Sequence, residues 1–142
     1  MRTALAIWLC GALFVCAGPE TPPLPFKVAH VPPTPKDVID AVLAHSRLPL
    51  THPSCKDAGT EPSDKTIGRY LAGFLAELSN QDARNAVTTS IETRSEGDEV
   101  FQCRLMIRHA QAEDVWSWGV EFTVRKSDGT VVADSFRCIG AG

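Results

Sequence analysis

The sequence predicts an α+β domain: one long helix packed on a four-stranded antiparallel meander, with a short preceding helix and a proline-rich N-terminal arm. Three observations carry this expectation. Apolar residues recur at helical spacing through Ile67, Tyr70, Leu71, Phe74, Leu75 and Leu78. Beyond residue 86 the apolar period drops from 3.6 to 2. Two clusters of turn-forming residues, Ser95-Glu-Gly-Asp98 and Ser127-Asp-Gly-Thr130, punctuate the alternating part. With 142 residues, 44% hydrophobic and 22% charged, the chain has the length and composition of one domain with a real core.

The N-terminus reads as a leader. Met1-Arg2 supplies one positive charge, Thr3 to Cys16 is uncharged and mostly apolar, and small residues surround the point after Ala17. This is the pattern of a secretory signal peptide, residues 1–17, cut after Ala17. The apolar run falls short of the roughly 20 residues that span a bilayer. Leu13-Phe14-Val15-Cys16 resembles the bacterial lipobox, which places Gly, Ala or Ser before its cysteine; Val15 departs from it. Soluble export to a periplasmic or extracellular space is the favoured reading. Lipid attachment at Cys16 is the alternative, and the one route to a membrane.

Seven of the ten prolines fall between Pro19 and Pro35. Proline fixes φ, removes a donor and disfavours helix in the residue before it. Residues 18–33 are therefore expected as an extended arm or linker, with Phe26, Val28 and Val31 offering apolar surface to the domain of residues 34–142. The short helix starts with Thr34 as cap, Pro35 at the first helical position and Asp37 in the first turn. Val38, Ile39, Val42 and Leu43 follow at helical spacing, and the pattern ends near Arg47. Residues 48 to 62 read as loop.

Ser63 caps the long helix, which is expected to end by Asn80. Gly68 and Gly73 weaken it by propensity, although a missing side chain also lets another backbone come close. Strands then follow. A weak one runs from Val87 to Arg94. In the next, Phe101, Cys103, Leu105 and Ile107 face one way, and Gln102, Arg104, Met106 and Arg108 the other. Trp116, Trp118, Val120, Phe122 and Val124 form one face of the third, against Ser117, Gly119, Glu121, Thr123 and Arg125. Such alternation marks strands with one buried and one wetted face. The fourth is expected from Val131 to Cys138. A three-residue loop with left-handed Gly129 would pair Lys126 with Thr130 and turn Val132, Phe136 and Cys138 inward. Over residues 63 to 138 this plan resembles the cystatin-like and NTF2-like layouts, a helix laid on a curved meander. The resemblance is one of layout and implies no function.

Cys55, Cys103 and Cys138 lie beyond the leader, an odd number that implies one disulfide and a free thiol, or an intermolecular bridge. Cys103 and Cys138 sit on the second and fourth strands, two spacings of about 4.8 Å apart, whereas a disulfide needs Cα atoms within roughly 7 Å. Cys55 in the loop is the better partner for Cys138 on an edge strand, leaving Cys103 as a buried thiol or alternative partner.

Motifs for chemistry are few. His45, His52, Cys55 and Asp57 match no established metal spacing, and surface histidines with a structural cysteine are the simpler reading. No serine sits in a nucleophile elbow, no C-x-x-C pair occurs, and the carboxylates of Glu96, Asp98, Glu99, Glu113 and Asp114 lie in turn-like stretches. No cofactor motif is present. The formal charge of −3 and the absence of a Lys/Arg run argue against nucleic acid.

Two surfaces remain. Arg104, Arg108, Glu121 and Arg125 share the wetted sheet face, a pattern that suits a protein interface as well as solvated cross-strand pairs. Trp116, Trp118 and His109 could line a small pocket, or pack as core. The favoured function is an exported, non-enzymatic binding or inhibitory module. The alternatives are a small-ligand carrier or minimal enzyme with a pocket between helix and sheet, and an envelope-tethered structural lipoprotein. No pattern in the sequence selects an oligomeric state.

Overall fold

The computed structural model describes residues 25–56, 65–77, 87–111 and 114–141; the leader, Cys16 included, and residues 78 to 80 at the expected end of the long helix lie outside them. Helix α1 spans Pro35–Ala44 and begins where its cap demands. The Thr34 hydroxyl accepts from the Asp37 N–H while the Asp37 carboxylate accepts from the Thr34 N–H, a reciprocal capping box. Val38, Ala41 and Val42 face the core. Ile39 and Leu43, at the same helical spacing, do not: they are 41% and 64% exposed, because the stripe they form lies round the helix from the buried one.

Helix α2 is Ile67–Glu77, eleven residues rather than the long element expected from Ser63 to Asn80, and Ser63 lies outside the described residues. Its first turn docks on segment 46–50, where Pro49 forms an isolated bridge with Thr66. The Ile67 and Gly68 N–H groups donate to the carbonyls of Leu48 and Ser46, at 3.2 and 2.8 Å, and the Leu50 N–H donates to the Lys65 carbonyl. Orphan donors of the helix start are satisfied by backbone here. Gly68 permits it, since a Cβ at this position would lie 2.9 Å from the Ser46 carbonyl oxygen.

The sheet is antiparallel in the order β1-β2-β3-β4, with β1 at Val87–Glu96, β2 at Val100–Gln111, β3 at Asp114–Arg125 and β4 at Arg137–Ala141. The class is α+β. Register sets Phe101 opposite Val124, Cys103 opposite Phe122, Leu105 opposite Val120 and Ile107 opposite Trp118, so the apolar faces of β2 and β3 coincide. Both helices pack on this inner face, α1 over β1 and β2, α2 against β3.

The β3–β4 connection departs from expectation. Arg125, not Lys126, pairs with Thr130, because Lys126 is drawn into the turn: its N–H donates to the Glu99 carbonyl and its ammonium to Ser95 Oγ and the Gly97 carbonyl. Val131 consequently takes the buried place assigned to Val132. The strand then breaks. Ala133–Ser135 forms a 3₁₀ turn, and the Ser135 hydroxyl accepts from the Thr123 N–H at 2.8 Å in place of a ladder bond. Pairing resumes only at Arg137, so the fourth strand runs 137–141 and not 131–138. Phe136 and Cys138 are buried.

The end of the proline-rich stretch lies against the domain. The Val28 N–H donates to the Gly129 carbonyl, and the Val131 N–H to the Phe26 carbonyl. Gly129, with φ 70°, makes the turn that brings Thr130 beside Lys27. Val28 is buried. The arm is also tied to α1 through Asp37, which accepts from the Ala29 N–H and from His30 Nδ1, both at 3.0 Å.

Cys55, in a 3₁₀ turn Pro53–Cys55, is bonded to Cys138 on β4. Their Cα atoms are 5.0 Å apart and their sequence separation is 83. Cys103 is a free thiol with no solvent exposure. Among the described residues no helix is long and apolar enough to cross a membrane.

Candidate functional site

Neither helix packs on the outer face of the sheet, which carries the polar halves of β1, β2 and β3 and Arg137 of β4. Strand register builds its centre. Glu121 on β3 stands directly opposite Arg104 of β2 on one side and Arg137 of β4 on the other. Arg104 Nε donates to Glu121 Oε2 at 2.8 Å, and Arg137 Nε is ion-paired with Oε1. Opposite charges placed directly across strands attract, and here the geometry covers the acid: Glu121 is only 5% exposed. A carboxylate removed from water in this way needs both of its partners.

The triad leaves one positive charge in excess. Both contacts to Glu121 are made through Nε, and among the described residues no hydrogen bond or ion pair engages the Nη groups, the fork that reads carboxylates. Arg108 and Arg125 are exposed on the same face. Arg108 pairs with Ser117, eight residues from Arg125 along β3, so the two lie roughly 27 Å apart at a strand rise of about 3.4 Å. Counting Arg94, Glu92 and Glu96 on β1 and Asp134 beside the triad, five arginines meet four carboxylates on this face, in a chain whose net charge is −3. The positive excess is local.

Beside the triad is an open cleft of about 270 Å³, lined by His52, Gln102, Glu121, Thr123, Asp134 and Arg137 among others. Three separate pieces of chain make it: the sheet, the 3₁₀ turn Ala133–Ser135 and the residue capping the turn Pro53–Cys55. Sequence reasoning missed it. The signal was the disulfide, because joining Cys55 to Cys138 brings His52, three residues earlier, towards Arg137.

Trp116, Trp118 and His109 lie on the inner face, at the far end of β2 and β3. His109 is 6% exposed and stacks on Trp116 with ring centroids 5.1 Å apart. Trp118 packs against the core and over Gly140, where a Cβ would stand 2.4 Å from the indole. His45 is elsewhere, between Phe26 and Phe136 with ring centroids 5.8 and 5.1 Å away. His52 hydrogen-bonds Ser54, and Asp57 lies outside the described residues. Among the described residues no three His, Cys, Asp or Glu side chains gather as a metal site would require.

No protein-family model matches this chain, and neither a curated protein nor a solved structure does.

Proposed function

We propose that this chain is an exported, non-enzymatic binding module that captures an acidic protein partner on the outer face of its sheet. The observation that carries the reading is the pair Arg104 and Arg137, held in place by the buried Glu121, with Arg108 and Arg125 exposed on the same face. Arginine is favoured at protein interfaces, and a fixed guanidinium loses less freedom on binding than a mobile one. The neighbouring cleft, at about 270 Å³, lies below the usual range of roughly 300–1,000 Å³ for small-molecule sites. It suits one side chain inserted from a partner. A helix-on-meander plan of the cystatin-like or NTF2-like kind agrees with this role, since it keeps one sheet face open. The Cys55–Cys138 disulfide is compatible with an oxidising compartment outside the cytosol.

The test is capture from the exported fraction of the source cell with wild-type protein and with the Arg108→Glu/Arg125→Glu variant. Both substituted positions are exposed, so melting temperature should stay within a few degrees of wild type. The reading expects capture to fall at least about tenfold, the loss of one or two well-placed ion pairs. Equal capture by a folded variant would remove the sheet face from consideration. An intact mass on the same fraction tests export itself: a chain starting at Gly18 and two hydrogens short agrees with it, and a lipid on Cys16 would select the tethered alternative.

A further inference from the structure

Strand β1 forms one edge of the sheet, and among the described residues charged side chains are the one blunting device it carries. It is ten residues long, pairs with β2 in one uninterrupted register without a bulge, and contains no proline, glycine or lysine. Among the described residues none of its backbone N–H or C=O groups bonds to anything beyond β2. Natural sheets protect long regular edges with short strands, prolines, lysines or bulges, because an open edge templates another strand. Here the edge instead carries a charge pattern that reads its own reverse.

Glu92 and Arg94 are two residues apart on the outer side of β1. Within one chain they make a poor pair. Arg94 Nη2 lies 2.8 Å from Glu92 Oε2, yet that oxygen is shielded from solvent and has no aligned hydrogen bond. Across a two-fold axis through Thr93 the same residues fit. Antiparallel pairing there sets Glu92 opposite Arg94 of the second copy, and Arg94 opposite its Glu92. Residues 90–96 overlap, with Ser90 facing Glu96 and Ile91 facing Ser95. Moving the axis by one residue towards the N-terminus sets Glu92 against Glu92; one residue the other way sets Arg94 against Arg94. Like charges directly opposite are destabilising, so the charges select one register.

We infer that two copies of this chain pair through their β1 edges, with the two-fold axis at Thr93, into a continuous eight-stranded antiparallel sheet. The interface is isologous, as in most small symmetric oligomers. Helix α1 packs over the β1 half of each sheet and carries the exposed Ile39 and Leu43, which bring apolar surface to the same half of the molecule. The outer arginine faces of the two copies then form one surface, although the pairing does not depend on what that surface binds.

Sedimentation equilibrium on the disulfide-bonded protein tests this. Wild type should be a dimer. Glu92→Arg and Arg94→Glu should each weaken it about tenfold or more, since each places like charges opposite one another twice. Mixing the two variants should restore a dimer, because one copy then presents two arginines and the other two glutamates, so that both facing pairs are again of opposite charge. Circular dichroism checks that both variants stay folded. A monomeric wild type, including one whose edge is filled by a segment of its own chain, overturns the inference. So do single reversals that dimerise like wild type, and a mixture that fails to recover.

Discussion

Replacing Asp37 by Asn should cost this protein a large part of its stability at neutral pH and much less in acid. Asp37 is 3% exposed and joins three segments: its carboxylate accepts from the Thr34 N–H and hydroxyl at 2.9 and 2.6 Å, from the Ala29 N–H, and from His30 Nδ1. Burial opposes its ionisation, but the hydrogen bonds from Thr34, His30 and Ala29 outweigh burial and hold the carboxyl well below the usual carboxylate range. A carboxylate with a depressed folded pKa stabilises fully above its unfolded value, about 3.9, and progressively less as pH falls towards the folded one. Asparagine keeps the shape and loses the charge and one acceptor. Weakening the Asp37 half of the capping box costs about 1 kcal/mol and weakening the other charged hydrogen bonds roughly 2 more, so the variant should be destabilised by about 3 kcal/mol at pH 7. At roughly 4 °C per kcal/mol for a domain of this size, its melting temperature should fall by roughly 12 °C. Paired thermal melts from about pH 7 down to about pH 2.5 should show the gap narrowing below about pH 4. A gap that is constant with pH, or under about 0.5 kcal/mol at pH 7, would refute the argument that an ionised Asp37 ties the arm to α1.

Three further outcomes follow from the packing. The disulfide closes a loop with a sequence separation of 83, for which the chain-entropy model gives about 4.5 kcal/mol; Cys55→Ser/Cys138→Ser should lower the denaturant midpoint accordingly, and a loss under about 1 kcal/mol would count against that mechanism. At Gly119 a Cβ would stand 2.1 Å from the Leu105 carbonyl oxygen, so Gly119→Ala should destabilise by about 3 kcal/mol, whereas Gly73→Ala, with open space around it in α2, should stabilise by about 0.5–1 kcal/mol; denaturation curves of the two variants must move in opposite directions. Burial pushes the Cys103 thiol up to about 11, a rise that a hydrogen bond with the Thr93 hydroxyl only partly offsets, so alkylation near pH 8 should label it after unfolding and leave the native protein untouched over the same interval.

Where side-chain periodicity and local chemistry agreed, the fold was legible from the chain. Thr34, Pro35 and Asp37 mark the start of α1 because capping depends on residues within one turn of each other. The two faces of β2 and β3 follow from strict alternation, and Cys55–Cys138 follows from the strand spacing that keeps Cys103 and Cys138 apart. Prediction failed where a tertiary contact intervened. The register of the last hairpin moved by one residue because Lys126 serves the neighbouring turn through Ser95 and Gly97, a contact between segments some thirty positions apart. The gap at 133–135 arises because the Ser135 hydroxyl substitutes for a ladder partner, and alternation says nothing of such substitutions. Ile39 and Leu43 share the apolar spacing of Val38 and Val42, and only the packing of α1 distinguishes the two stripes. At the candidate site, the pairing of Arg104 with Glu121 is implicit in two alternating strands. Arg137 joins them only once β4 has been shifted into its observed register.

Met106 offers the most direct test of the sheet-face reading. It stands on the outer face between Arg104 and Arg108, whereas Trp116 and Trp118 belong to the inner face. With the captured partner bound, hydroxyl-radical footprinting should show Met106 oxidation falling several-fold while oxidation of the two tryptophans stays as in the free protein. Unchanged Met106 oxidation, with protection at the tryptophans instead, would contradict the account and move the binding surface to the other side of the sheet.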